Sequence, residues 1–353
     1  MRRMARSAFL LFVLLQVAAC APRVMHPGPT VQDPVMTHDH LQMADGAVLP
    51  MRVWSPSGTP RAVVLALHGF NDYSKAFDKP ARFLADQGLL TYAYDQRGFG
   101  DAPHHGIWPG TESLVADLRT AARLVRQRHP GLPVILLGES MGGAVIMAAL
   151  ARPDPPVADR IVLVAPAIWS RAAMPRWQSA ALEIAAHSIP AMQFTGSGFG
   201  KIPSDNIAML RELSRDKKVI KWTRVDAVYG LANLMDAAYD AVPSLRGDIL
   251  ILFGEKEDIL PKKALGQFEM RLPARRCGLR LVSYASGFHM LLRDLKSETV
   301  LSDIAAWIGD PGAMLPSGRE KPLPAYALAE RPRNGKEGDG AIAPHGLNCG
   351  SRK

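Results

Sequence analysis

Ser140 sits in the run Gly138-Glu139-Ser140-Met141-Gly142, a G-x-S-x-G pattern. A serine hydroxyl becomes a useful nucleophile only when a base takes its proton and a carboxylate orients that base. The spacing has a steric reason. The serine must stand on a sharp strand-to-helix turn so that its hydroxyl projects clear of the backbone. A side chain at either flanking position would strike the neighbouring strand or helix, and glycine avoids the clash. The pentapeptide alone is a weak signal, because an ordinary glycine-rich turn also produces it. Its setting is more specific. The apolar run PVILL precedes it and GGAVIMAAL follows, a strand and then a helix.

The remaining parts of an acyl-transfer site have candidates in suitable places. The base should follow the last strand. Residues 279–284 read as that strand and Gly287-Phe288-His289 follows, with only His345 beyond. His289 is therefore the expected base. The acid should lie between serine and histidine, after a strand. Residues 248–253 (DILILF) end in Gly254-Glu255-Lys256-Glu257-Asp258-Ile259-Leu260-Pro261. Asp258 is the expected acid, with Glu255 and Glu257 as rivals. An oxyanion needs two backbone N–H donors. Met141, directly after the nucleophile, supplies one, and Phe70 of His68-Gly69-Phe70 supplies the other from the end of the run RAVVLAL. His68 precedes the glycine at a strand end, where a role in shaping the loop outweighs a role as base.

These residues need a frame. Apolar runs at residues 49–54, 61–67, 89–94, 133–137, 160–164, 248–253 and 279–284 read as strands, most of them continuous runs covered on both faces. Residues 75–87, 111–129 and 141–151 carry apolar side chains at helical spacing. Alternation of the two implies parallel βαβ units in a three-layer α/β sandwich. Residues 168–242 break the alternation and read as a helical cap inserted over a mostly parallel sheet. The domain spans about residues 35–310. Residues 20–34, rich in proline and polar groups, read as a flexible tether. Residues 311–353 read as a disordered tail.

Composition narrows the class. Of 353 residues, 48% are hydrophobic and 21% charged, which suits a packed globular core. Cys20, Cys277 and Cys349 are too few and too scattered for a disulfide framework. No cofactor is expected. No metal is expected either, since His38-Asp39-His40 and His104-His105 lack a persuasive ligand spacing. The formal charge is +9, and falls to +6 without Arg2, Arg3 and Arg6. These charges are scattered, with no nucleic-acid motif among them. The three arginines open residues 1–19, which continue with an apolar stretch too short to span a bilayer and small residues before Cys20. That is a secretory signal pattern. Val17-Ala18-Ala19-Cys20 resembles the bacterial lipobox, which implies lipidation of Cys20. With Ala21 next, the resemblance implies an outer-membrane anchor facing the periplasm.

The stretches HGFNDYS (68–74), YDQRGFG (94–100), GESMGGA (138–144), FGEKEDILP (253–261) and GFHMLLRD (287–294) together resemble the monoacylglycerol lipase and lysophospholipase group of α/β-hydrolases, classed beside serine aminopeptidases. The resemblance covers about residues 40–308. It implies the α/β-hydrolase fold, a Ser140-Asp258-His289 triad, an oxyanion hole at Phe70 and Met141, and cleavage of carboxylic esters of single-chain lipids. The family's D-x-R-G-x-G-x-S turn matches at Asp95, Arg97, Gly98 and Gly100 and departs at Ala102. A peptidase or acyltransferase with the same triad is the second reading, and a non-catalytic lipid-binding lipoprotein the third. Protein partners are not specified by these residues.

Overall fold

The computed structural model describes residues 21–196, 200–273 and 278–320. The lipobox with Cys20, as well as Cys277, Cys349 and the chain beyond residue 320, lie outside the described residues. Among those residues no helix is long and apolar enough to cross a membrane, and no cluster of histidine, cysteine and acidic groups could hold a metal ion.

The centre is a nine-stranded sheet. Its strands are β1 (Val35–Met36), β2 (His40–Gln42), β3 (Val48–Trp54), β4 (Ala62–Leu67), β5 (Leu89–Tyr94), β6 (Val134–Glu139), β7 (Arg160–Val164), β10 (Ile249–Gly254) and β11 (Leu279–Tyr284); β8 (Gln193–Phe194) and β9 (Thr223–Arg224) pair separately. The order is β1-β2-β3-β5-β4-β6-β7-β10-β11. From β5 to β11 every pairing is parallel, and β1, β2 and β3 join antiparallel at one edge. Every residue of β4, β5, β6 and β10 is buried. That explains their unbroken apolar sequences: helices cover both faces, so no alternation survives.

The described residues form eight α-helices: α1 (Asp78–Asp86), α2 (Thr111–Arg128), α3 (Met141–Leu150), α4 (Arg176–Ser188), α5 (Ile207–Arg215), α6 (Val225–Ala241), α7 (Lys262–Arg271) and α8 (Ser297–Gly309). One apolar core joins one sheet face to α2, α3, α6 and α7, with Leu118, Val145, Leu234 and Phe268 fully buried. The other joins the opposite face to α1 and α8, through Leu84, Leu301 and Trp307. α3 is apolar all round and buried along nearly its whole length, as expected of a helix enclosed by the fold.

Parallel strands place their carboxyl ends on one edge, where α/β sheets hold their ligands. In register, Leu67 of β4 faces Gly138 of β6, Glu139 faces Val164 of β7, and Gly254 of β10 faces Tyr284 of β11. The segments beginning at His68, Ser140, Glu255 and Ala285 therefore leave the sheet side by side.

Four expectations change. The 75–87 helix is a 3₁₀ turn at Ser74–Phe77 followed by α1. The inserted region ends in α6, which packs on α3 and buries Ala232, Leu234 and Ala238 in the central core. Only the part before it, with α4, α5 and the β8–β9 pair, forms a cap. Residues 21–34 do not hang free. Met25 donates to the Trp108 carbonyl at 2.9 Å, Val31 and Gln32 donate to the Ala44 carbonyl at 2.8 and 3.2 Å, and Arg23 N–H donates to Asp226 at 3.1 Å. The segment is a strap, because an extended chain without periodicity can still bind the edges of other elements. Finally, residues 311–320 belong to the fold. Leu315 is buried, Arg280 donates to the carbonyls of Pro311 and Ala313 at 2.7 Å each, and Glu320 bridges to Val282.

Candidate active site

β6 ends at Glu139, α3 begins at Met141, and Ser140 makes the turn between them with φ 52° and ψ −113°. A positive φ is costly for a residue with a side chain, and such strain persists only where the surroundings impose it. The flanking glycines show how they do so. A Cβ on Gly138 would lie 2.5 Å from the Gly143 amide nitrogen, and one on Gly142 would enter the Leu67 carbonyl. Both positions require glycine because strand, turn and helix pass within backbone contact.

The projected hydroxyl meets the expected base. Ser140 Oγ lies 2.9 Å from His289 Nε2. The ring's other nitrogen, Nδ1, lies 2.7 Å from Glu257 Oε2. The acid in contact with His289 is thus Glu257, and the expected Asp258 is not part of the chain. Asp258 faces outward at 43% side-chain exposure and pairs with Lys201 at 2.8 Å, whereas Glu257 is 1% exposed. The turn after β10 explains the one-residue difference. Glu257 N–H folds back to the Gly254 carbonyl at 3.3 Å, which turns the Glu257 side chain inward over the sheet edge. Its Oε1 accepts the amides of Ile259 and Leu260 at 2.7 and 3.0 Å, leaving Oε2 for the histidine. The apolar pair and proline that favoured Asp258 in the sequence serve Glu257 instead. Glu255, the other rival, accepts from Ser283 Oγ at 3.2 Å.

Burial pushes the Glu257 carboxyl up. The hydrogen bond and charge of His289 and the amides of Leu260 and Ile259 more than offset this, and it titrates below the ordinary glutamate value of 4.5. It is therefore a carboxylate at neutral pH. A carboxylate can only accept, so it fixes the proton on Nδ1 and leaves Nε2 free to accept from Ser140.

The two expected oxyanion donors come from adjoining elements. Met141 is the first residue of α3, and the first amides of a helix have no intrahelical acceptor. Phe70 follows Gly69, where an added Cβ would touch Ser140 Cβ at 3.4 Å, so the loop after β4 lies against the nucleophile. His68 anchors that loop. It is fully buried, with Nδ1 2.8 Å from the Gly69 carbonyl and Nε2 accepting the Gln96 amide at 3.0 Å. Burial lowers its pKa and keeps the ring neutral. Phe70, Phe99, Ile107, Trp108, Ile220 and Ala227 line a narrow, mainly apolar crevice between the loop and the cap, with room for about one water molecule.

Sequence reasoning left one group unassigned. Arg293, four residues after His289, is buried with Asp72 and Glu139, donating to them at 2.7 and 3.1 Å. All three lie in the stretches that carry the family resemblance. A charged residue in such a stretch with no solvent-facing periodicity was the available signal.

A family model described as serine aminopeptidase, S33, matches residues 58–296. The chain belongs to this family of hydrolases. It is 28% identical over 297 residues to the monoglyceride lipase of Rattus norvegicus, spanning 81% of this chain and 95% of that one. It is 26% identical to the monoacylglycerol lipase of Mycolicibacterium smegmatis, spanning 72% of this chain and 91% of that one. Among solved structures, a soluble variant of monoglyceride lipase from Saccharomyces cerevisiae in complex with a substrate analogue superposes with a TM-score of 0.65 at 20% identity, over 80% of this chain and 98% of that one. The fold is that of the α/β-hydrolases.

Proposed function

We propose that this family member is a serine ester hydrolase acting on monoacylglycerol-like, single-chain lipids. The observation that carries the chemistry is the chain Ser140–His289–Glu257, at 2.9 and 2.7 Å, on a strained elbow beside two candidate oxyanion donors. In the first half-reaction, Ser140 Oγ attacks the ester carbonyl carbon as its proton passes to His289 Nε2. Glu257 stabilises the resulting imidazolium through Nδ1–H, and the Phe70 and Met141 amides receive the oxyanion. Collapse breaks the C–O bond, and the alcohol leaves with the proton from His289. Water repeats the sequence on the acyl-enzyme and releases the fatty acid.

The substrate class is supported by the two lipases that match over nearly their whole length. Lysophospholipids are the neighbouring class. The family's description also names aminopeptidases, so amide substrates belong in the test. Purified enzyme presented with monoacylglycerols, lysophospholipids, p-nitrophenyl esters and aminoacyl amides should show its highest kcat/KM on monoacylglycerol. Preference for the aminoacyl amide would overturn the lipid reading.

A location in the envelope is the reading that the signal pattern of residues 1–20 supports. A lipidated Cys20 would anchor the enzyme in the bacterial envelope, at the outer membrane facing the periplasm. The strap gives this reading a geometric consequence. Arg23 N–H is held by Asp226, which also binds Arg224, and Arg224 borders the crevice that contains Phe70. The exposed cap side chains Trp177, Ile184, Met192 and Trp222 belong to the inserted region. An anchor at residue 20 would thus start on the side of the domain where Asp226 and Arg224 lie. Radiolabelled palmitate should enter the wild-type protein and not Cys20→Ser. A wild-type protein without label would remove the anchor and leave the hydrolase reading intact.

A further inference from the structure

The oxyanion turn is built from Gly69-Phe70-Asn71-Asp72. The Asp72 amide closes it by donating to the Gly69 carbonyl at 3.3 Å, and Asn71 occupies its third position at φ 65°. No triad side chain holds this turn. Besides His68 at the Gly69 carbonyl, two groups outside the triad do.

The first is Arg293. Its Nη1 donates to Asp72 Oδ2 at 2.7 Å and its Nη2 to Glu139 Oε2 at 3.1 Å. Asp72 Oδ1 accepts the Tyr73 amide at 2.9 Å, so the carboxylate is fixed at both oxygens. Asp72 is two residues after Phe70, Glu139 directly precedes Ser140, and Arg293 is four residues after His289. One guanidinium ties together the loop, the elbow and the histidine segment. The second group is the cap. The Ile220 amide donates to the Asn71 carbonyl at 2.9 Å, and Asn71 Nδ2 donates to Thr223 Oγ at 2.7 Å.

We propose that Arg293 is a positioning residue for acyl transfer: through Asp72 and Glu139 it aims the Phe70 amide at the oxyanion site above Ser140, while Ile220 and Thr223 hold the opposite side of the same turn. The proposal rests on the acyl-transfer reading of Ser140. Its physical basis is that an oxyanion donor works only when it is aimed before charge develops. Stability is a poor alternative explanation for burying three charges. Desolvation consumes most of the gain, and apolar side chains of similar volume are often as stable. What a planar guanidinium supplies, and an apolar group cannot, is fixed geometry between two carboxylates.

The test compares kcat with KM on a p-nitrophenyl ester, alongside thermal unfolding and stoichiometric labelling by a fluorophosphonate. Arg293→Met should lower kcat by roughly 10–100-fold, short of the 10²–10³-fold that follows complete loss of an oxyanion donor. KM should stay within about threefold of wild type, because an oxyanion contact is made only in the transition state. Arg293→Lys, whose single ammonium can reach one carboxylate at a time, should recover part of kcat. Asp72→Asn should lower kcat in the same way, and the Arg293→Met/Asp72→Asn double variant should lose little more than the worse single variant, since both remove one contact. If Arg293→Met does not fold, the Arg293→Met/Asp72→Asn/Glu139→Gln triple variant, which leaves no buried charge uncompensated, and Thr223→Val carry the same test; each should lower kcat with little change in KM. The proposal is overturned if the folded variants keep kcat within about twofold of wild type, or if the loss lies in KM alone. It is equally overturned if activity follows only the folded fraction. Wild-type enzyme that turns over no ester or amide would instead overturn the hydrolase reading itself.

Discussion

Exchanging the two adjacent carboxylates for amides separates their roles. In Glu257→Gln the amides of Ile259 and Leu260, which donate to Oε1 at 2.7 and 3.0 Å, will hold the glutamine carbonyl in that place. The side-chain NH₂ must then stand where Oε2 stood, 2.7 Å from His289 Nδ1. An NH₂ group can only donate, so Nδ1 must become the acceptor and the proton must move to Nε2. That nitrogen can no longer accept from Ser140. The expected loss is that of a triad with the wrong tautomer, ~10⁴-fold in kcat, or about 5 kcal/mol of transition-state stabilisation. Glu257→Asp pulls the carboxylate back by about one C–C bond, ~1.5 Å. A misplacement of that size should cost ~10²-fold. Asp258→Asn removes an exposed charge paired with Lys201 and should change kcat by less than ~2-fold. Steady-state and burst kinetics on a p-nitrophenyl ester measure all three. A loss of ~10³-fold or more in Asp258→Asn, with less than ~10-fold in Glu257→Gln, would refute the assignment. Acid titration adds a second reading. The folded-state pKa of Glu257 is depressed, so its contribution to stability is full above the unfolded value of 4.5 and is lost as pH falls through the folded value. The gap in Tm between wild type and Glu257→Gln should narrow below pH 4.5.

Three further outcomes are expected. Ser140→Ala should abolish fluorophosphonate labelling and lower kcat by ~10⁴-fold or more while leaving the fold intact, and near-normal turnover would remove Ser140 from the mechanism. Gly142→Ala should yield little soluble protein, because its Cβ would enter the Leu67 carbonyl in the backbone of β4; an active, stable variant would show that the elbow is looser than described. Deleting residues 311–353 should lower Tm by roughly 5 °C, since the loss of buried Leu315 alone is worth about 2 kcal/mol, and an unchanged Tm would show that residues 311–320 contribute nothing.

The parallel part of the sheet was legible because its strands are covered on both faces. Residues 89–94, 160–164 and 279–284 were read with the limits that the structure has, and 61–67 and 248–253 differ by a residue at their ends. Continuous burial leaves continuous apolar sequence, and glycines at Gly138 and Gly254 mark where the chain turns off the sheet edge. The cap was legible only as an interruption. Its last helix, α6, carries polar positions at Asn233, Asp236 and Asp240 like a surface helix, yet turns Leu234 and Ala238 onto α3. Composition does not say which body a helix packs against. The strap at residues 21–34 was misread for a related reason: extended segments held by single amides leave no periodic trace.

The acid was misread for a different cause. Glu257 and Asp258 are adjacent, have the same charge and differ by one methylene. Strand, turn, apolar pair and proline are shared by both, so sequence context scores them nearly alike. What separates them is the direction of one side chain. The turn from Gly254 to Glu257 closes with one hydrogen bond, after which residue 257 points over the sheet edge and residue 258 to solvent. The glutamate also has the reach to accept two amides at one oxygen and the imidazole at the other. The same reasoning applies to Arg293, Asp72 and Glu139. Each is charged, and each lies beside a recognisable motif, but their joint role depends on β4, β6 and the segment after β11 converging at one edge. Register within the sheet fixes that convergence, with Leu67 beside Gly138 and Gly254 beside Tyr284. A motif locates the reacting atoms; the order of the strands decides which charges stand behind them.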